Sequence, residues 1–427
     1  MEKLLIKDAF IIDPATNIQD KLDLLIVDGR VGAIAPGMVV EDAQVINAHG
    51  LVCAPGIVDM HVHLRDPGQT YKEDIQSGCC AAAAGGVTSV VCMPNTQPVC
   101  DNAKVIADII NRASNAPAHV YPVAAVTKSL EGQSLTDFSA LKAAGAIAVS
   151  DDGRPVSTPS AMMDAMEKAE LLGLKVLSHC EDPSLVRGGI MNDGDVSRKI
   201  GVSGIHRAAE EVGTARDIAL AGATGLPVHI CHVSTRGSVA LIRDAKRRGV
   251  PVTGETAPHY FMLTDQLLEK RDGDYRMNPP LRTQDDVTAV IEGLQDGTLS
   301  AIATDHAPHS PGDKADFVHA PNGVIGLETS LAAGITALVK PGYITLSKLL
   351  ALMSTNPANI LGIPAGSLKI DSPADIVIFD SSQGWTVSAD RLHGKSKNTP
   401  FKGMMLYGSV KMTLLDGRVV YKNGSIV

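Results

Sequence analysis

The chain has 427 residues, too many for one small domain and enough for one large barrel with an accessory piece. It is 44% hydrophobic and 20% charged, the balance of a soluble globular protein with a large core. Its formal net charge of −9 argues against a nucleic-acid binder, which carries a basic face, but leaves room for an anionic small molecule, because local charge decides there.

The chain opens without a basic segment followed by an apolar run, and no stretch reaches about 18 consecutive apolar residues, so no signal peptide or membrane partner is expected. Leu4–Ile12, Leu22–Val27 and Arg30–Ile34 have strand character, and Asp28-Gly29 between the last two is a hairpin signal. Eight apolar strand candidates follow: Ile57–Leu64, Val87–Met93, Val120–Val126, Ala146–Ser150, Lys175–Ser178, Val228–Val233, Val250–Gly254 and Ser300–Thr304. Helices separate most of them. Glu73–Ala84 is closed by Gly85-Gly86. Pro159–Leu172 has Thr158 as N-cap, Pro159 at the first helical position, Gly173 as its stop, and Met162, Ala165, Met166, Ala169 and Leu172 on one face.

Strands alternating with helices imply an α/β fold with a parallel sheet, and eight such units imply a (β/α)₈ barrel of the TIM type. Ala374–Phe379, Met404–Leu415 and Arg418–Tyr421 then return to the hairpin style, and Asp-Gly-Arg-Val at 28–31 recurs at 416–419. The expected division is a barrel over 53–366 and a small β-sandwich built jointly from 1–52 and 367–427. The cysteines (seven, none in a C-x-x-C pair) suggest buried thiols in a reducing compartment, hence the cytoplasm.

The polar residues concentrate at the C-terminal ends of the strands: His61 and His63, Asn95, Asp151 and Asp152, His179, His232, and Asp305. A barrel carries its active site at that face. His61 and His63 are two apart, so on a strand both rings point the same way. Scattered structural histidines would not follow the strand ends. Four imidazoles and two carboxylates exceed what one tetrahedral zinc needs. They suit two divalent ions sharing a carboxylate, a pair that acidifies water and polarises a carbonyl. A nitrogen-rich, thiolate-free set favours zinc over magnesium or calcium.

Each member also has a plainer explanation. His179 could be a hydrogen-bonded core histidine, and Asp305 could cap the following segment. His229 competes with His232; their separation of three puts them on opposite strand faces, and His232 lies nearer the strand end. His259 fits a supporting or structural position. His49, His119, His206 and His393 lack supporting context. The turn-rich stretch from His306 to Asn322 is long enough to be a lid or a disordered surface loop.

Several segments resemble the amidohydrolase superfamily and, within it, the long bacterial type of dihydroorotase. They are Pro55–Gly68, Gly86-Val-Thr, Met93-Pro-Asn-Thr96, Cys231–Thr235, Glu255–His259, Asn278–Arg282, Ala303–His309 and Gly326–Thr329. The resemblance covers nearly the whole chain. It implies reversible closure of N-carbamoyl-L-aspartate to L-dihydroorotate in pyrimidine synthesis, with one or two zinc ions per subunit, two preferred. It implies that His61, His63, His179, His232 and Asp305 hold metal and that Asp305 also shuttles the proton. Arg65, Asn95, Asn278, His309 and the backbone near Gly323 then hold the substrate. A homodimer is expected, with aspartate transcarbamoylase as a possible partner.

Many relatives in the superfamily carry a carboxylated lysine at strand four. Here that strand ends in Ser150-Asp151-Asp152, so Asp152 is the expected metal bridge and Asp151 its alternative. Rival readings are a dihydropyrimidinase or allantoinase, and an inactive partner of the transcarbamoylase. Arg65 argues against a neutral ring substrate, and no expected metal ligand is missing.

Overall fold

The computed structural model describes residues 2–427. Eight parallel barrel strands run Ile57–Val62, Val87–Cys92, His119–Ala124, Ala148–Val149, Lys175–Ser178, Val228–Ile230, Val252–Thr256 and Ala301–Ile302, paired in chain order. The ring closes where Val62 bridges His306 and His63 N–H donates to His306 O at 2.7 Å. Val58, Met60, Val91, Val123, Ala148, Leu177, Cys231 and Ala303 form one buried cluster that fills the barrel, so its interior is a packed core rather than a pore. Ile57, Val62, Val87, Val90 and Ile230 belong instead to the core shared with the surrounding helices.

Pro159–Leu172 is a helix, with Thr158 Oγ1 accepting from Ala161 N–H and Gly173 ending it at φ 66°. The helix expected from Glu73 begins at Ile75. Asp74 is its cap, accepting from Ser77 N–H, and Glu73 is drawn off to accept from Lys395 N–H at 3.1 Å. Several barrel strands are shorter than their apolar runs, strands four, six and eight among them, because the residues past the last ladder bond turn to build the mouth.

Both ends of the chain build one mixed sheet of nine strands. Val52–Pro55 is the join: it runs parallel to Lys3–Asp13, antiparallel to Ile376–Thr386, and continues through Gly56 into the first barrel strand. The repeated Asp-Gly-Arg-Val letters mark two turns of the same left-handed kind, Asp28 and Gly29 at φ 49° and 79°, Asp416 and Gly417 at φ 47° and 76°. The turns abut. A Cβ on Gly417 would stand 2.8 Å from Gly29 Cα. Gly417→Val therefore combines a forbidden φ with a backbone clash, and should cost about 2–4 kcal/mol of stability. Thermal unfolding checks this; an unchanged Tm would show that the turns are not locked together. No helix among the described residues is long and apolar enough to cross a membrane.

Candidate metal centre and active site

At the C-terminal mouth of the barrel, Asp152 lies among four histidines. Its Oδ1 is 3.3 Å from His61 Nε2, 3.4 Å from His179 Nδ1 and 3.5 Å from His232 Nε2, and its Oδ2 is 3.4 Å from His63 Nε2. Asp305 Oδ1 stands 3.1 Å from His63 Nε2 and 3.6 Å from His61 Nε2. Two overlapping groups result, His61–His63–Asp305 and His61–Asp152–His232. His179 joins the second, its Nδ1 2.8 Å from His232 Nε2. All six side chains are buried.

The donor set fits divalent cations. His61 Nδ1 faces Glu255 Oε1 at 2.9 Å and His63 Nδ1 faces Asn95 Oδ1 at 2.8 Å. Both oxygens are acceptors, so those nitrogens carry the protons and both Nε2 lone pairs point into the cluster. His61 Nε2 and Asp152 Oδ1 are buried without a hydrogen-bond partner. Burial pushes the Asp152 carboxyl up, but the imidazoles of His61, His179 and His232 pull it well below the usual range. Burial likewise opposes the charged form of His61, yet Asp152 draws it well above an ordinary imidazole. The cluster takes up positive charge, and metal ions supply that charge without protons. Cys231 lies beside His61 and Glu255, and burial pushes its thiol up to about 12.

Local backbone aims these groups. The first strand carries an irregularity between Asp59 and Val62. It lets Val58 and Met60 fill the barrel below while His61 and His63 enter the mouth above. Arg65, His232 and Asp305 adopt φ of 58°, 37° and 49°, a region non-glycine residues seldom occupy outside constrained sites. Plain strand alternation would send His232 outward with Ile230. The left-handed turn brings it in. His229 also points inward, its Nε2 3.3 Å from Glu255 Oε2, so the opposite-face argument does not separate the two. His229 remains a step below the cluster, its Nδ1 paired with Thr253 Oγ1 at 2.7 Å.

Asp151 turns away from the cluster and accepts from the Thr127 N–H at 3.0 Å and from the Thr127 hydroxyl, which leaves Asp152 as the carboxylate among the imidazoles. His259 is buried against Tyr260, and burial lowers it to about 4. His119 pairs with Asp375 and His393 with Glu328, partners outside the cluster. Glu255 was not anticipated. Its signal was a carboxylate at the end of a barrel strand, where burial demands a partner. The hydrogen bonds from His229 and His61 overcome that burial and hold it near 2.

Beside the candidate ligands lies a cationic wall. Arg65 Nε donates to Pro308 O at 3.2 Å and its Nη2 stands 3.3 Å from His309 Nε2. No carboxylate pairs with Arg65 among the described residues, although burial lowers its guanidinium only to about 10. His309 Nε2 also faces Asn322 O at 2.9 Å, while Lys72 Nζ stands 3.2 Å from its Nδ1. A carbonyl accepts and an ammonium donates, so the neutral Nε2–H form alone satisfies both. Burial and the nearby Arg65, Lys72 and Lys314 hold His309 neutral, near 2. Gly323, at φ 136°, packs so closely that a Cβ would meet Ala307 Cβ at 2.7 Å and His309 Nε2 at 3.0 Å. Asn278 Nδ2 donates to Glu181 Oε1 at 3.1 Å, leaving its buried Oδ1 without a partner. The 306–322 stretch has local structure and anchors: Pro311–Lys314 is a helical turn, and Lys314 Nζ donates to the carbonyls of Arg276, Pro321 and Gly323 at 3.0, 2.9 and 2.9 Å.

Comparison with known proteins adds to this geometry. The family described as "Dihydro-orotase-like" matches residues 50–238, and the "Amidohydrolase family" matches residues 201–421. The chain is 51% identical over 422 residues to a dihydroorotase of Geobacter metallireducens, covering 98% of this chain and 99% of that one. It is 50% identical to a dihydroorotase of Syntrophus aciditrophicus over the same shares of the two chains. Among solved structures, a dihydropyrimidinase from Brevibacillus agri superposes with a TM-score of 0.88 at 26% identity, over 100% of this chain and 96% of that one.

Proposed function

Because the chain belongs to the dihydroorotase family of amidohydrolases, a family of hydrolases acting on cyclic amides, we propose that its barrel mouth holds two zinc ions and interconverts L-dihydroorotate and N-carbamoyl-L-aspartate in pyrimidine synthesis. The observation that carries the substrate assignment is Arg65. A half-buried guanidinium with no carboxylate partner among the described residues, beside a cluster of metal-type ligands, calls for an anion on the ligand. Dihydroorotate brings a carboxylate, and dihydrouracil does not.

In this reading His61, His63 and Asp305 would hold one ion and His179 and His232 the other, with Asp152 as the expected shared carboxylate. Such ions would acidify a water and polarise the ring amide carbonyl. The chain's own groups do the rest. Arg65 meets the carboxylate with two parallel N–H bonds. Asn95, whose oxygen is committed to His63, still has its amide N–H to offer. The neutral His309 and the backbone near Gly323 supply further polar contacts, as does Asn278. Asp305 takes the proton of the attacking water and passes it to the departing ring nitrogen; synthesis reverses the steps. The free thiols accord with a cytoplasmic enzyme, and a homodimer, alone or with aspartate transcarbamoylase, is part of the same reading.

Asp152→Ala tests the bridge. Metal bound per subunit, measured by elemental analysis after dialysis, should fall below that of the wild type, and activity should not depend on added bicarbonate, because no lysine needs carboxylation. Two ions retained in the variant would remove Asp152 from this role.

A further inference from the structure

The two loops that carry the substrate-side groups meet directly through Arg65 and Lys72, and they are also joined through a third segment. A strap from the C-terminal part of the chain, residues 395–398, runs between them. On one side Lys395 Nζ donates to Thr70 O at 3.0 Å, and Ser396 Oγ donates to Lys72 O at 2.7 Å. This fixes the loop that leads from Arg65 through Lys72. On the other side Asn398, itself buried, directs its side-chain amide to the loop after the last barrel strand. Its Oδ1 accepts from His309 N–H at 3.1 Å. Its Nδ2 donates to Ala307 O at 3.2 Å and to Gly323 O at 3.0 Å. Its own carbonyl accepts from Ile325 N–H at 3.1 Å. One side chain thus ties the two arms of that loop together at His309 and at Gly323.

We infer that Asn398 is a positioning residue for substrate recognition: the C-terminal strap sets the spacing between the Arg65–Lys72 loop and the His309–Gly323 loop, and so shapes the subsite for the substrate carboxylate. The inference rests on the dihydroorotase reading. Asn398 touches none of the metal ligands, so disturbing it should change substrate affinity and leave metal binding and the chemical step in place.

Asn398→Asp keeps the size and the oxygen facing His309 N–H, but sets a second oxygen against two carbonyls. The KM for dihydroorotate should rise by about 10- to 100-fold, from leaving buried groups unsatisfied, with kcat within a few-fold of wild type and zinc content unchanged. Ser396→Ala, a milder cut in the same strap, should raise KM roughly threefold, the worth of one neutral hydrogen bond, and decides the question if Asn398→Asp does not fold. Unchanged KM at equal zinc content, whether or not Tm falls, would show that the strap only stabilises and would overturn the inference. A loss confined to kcat would overturn it too. A wild-type protein inactive on dihydroorotate would instead remove the functional reading beneath it.

Discussion

Asp305→Asn should reduce turnover of dihydroorotate by ~10²–10⁴, the usual cost of losing a general base, while part of the bound metal stays. Asparagine keeps the size and an oxygen for the position 3.1 Å from His63 Nε2, but it cannot hold a proton between the attacking water and the ring nitrogen. The surroundings suit a proton carrier that rests ionised. Burial pushes the Asp305 carboxyl up, yet the hydrogen bond to His63 and the neighbouring imidazoles bring it below its ordinary value. Its left-handed backbone, φ 49°, turns the side chain into the mouth directly after the last strand. Turnover and zinc content must be measured on the same preparation. Near-normal turnover at normal metal content would take the shuttle role away from Asp305.

Arg65→Met should separate two substrates. Methionine keeps a long apolar stem and removes the guanidinium fork, so the metals should remain. Charge-assisted hydrogen bonds contribute roughly 1.5–3 kcal/mol each. Losing a bidentate pair should lower kcat/KM for dihydroorotate on the order of 10²-fold or more, at ~1.4 kcal/mol per tenfold. Any weak activity on dihydrouracil, which has no carboxylate, should be spared. The solved dihydropyrimidinase that shares this fold at 26% identity makes the control informative. If dihydrouracil is already the better substrate of the wild type, or both activities fall equally in the variant, Arg65 does not read a carboxylate.

The barrel was legible because two periods alternate along the chain, and the outcome is eight parallel strands in chain order. The pairing of the two chain ends was legible from hairpin letters alone, Asp28-Gly29 and Asp416-Gly417, although nothing local could tell that these turns would touch. The metal-type residues could be found because a barrel collects its polar strand ends at one face. What stayed hidden depends on backbone that strand periodicity does not describe. Alternation cannot foresee the irregularity between Asp59 and Val62 or the left-handed His232. Glu255 was visible as a carboxylate at a barrel strand's end, but its partners, His61 and His229, come from two other strands. Asn398 lies 89 residues from His309, in a segment whose letters show no ligand pattern, so only the folded contacts bring it to the site.

The most direct test of the two-ion dihydroorotase account is a zinc titration of metal-free wild-type protein with dihydroorotate hydrolysis as the readout. The account predicts no hydrolysis without metal and activity that rises until about two equivalents per subunit are bound. Full activity in the metal-free protein, or none at any zinc ratio while zinc binds, would contradict it.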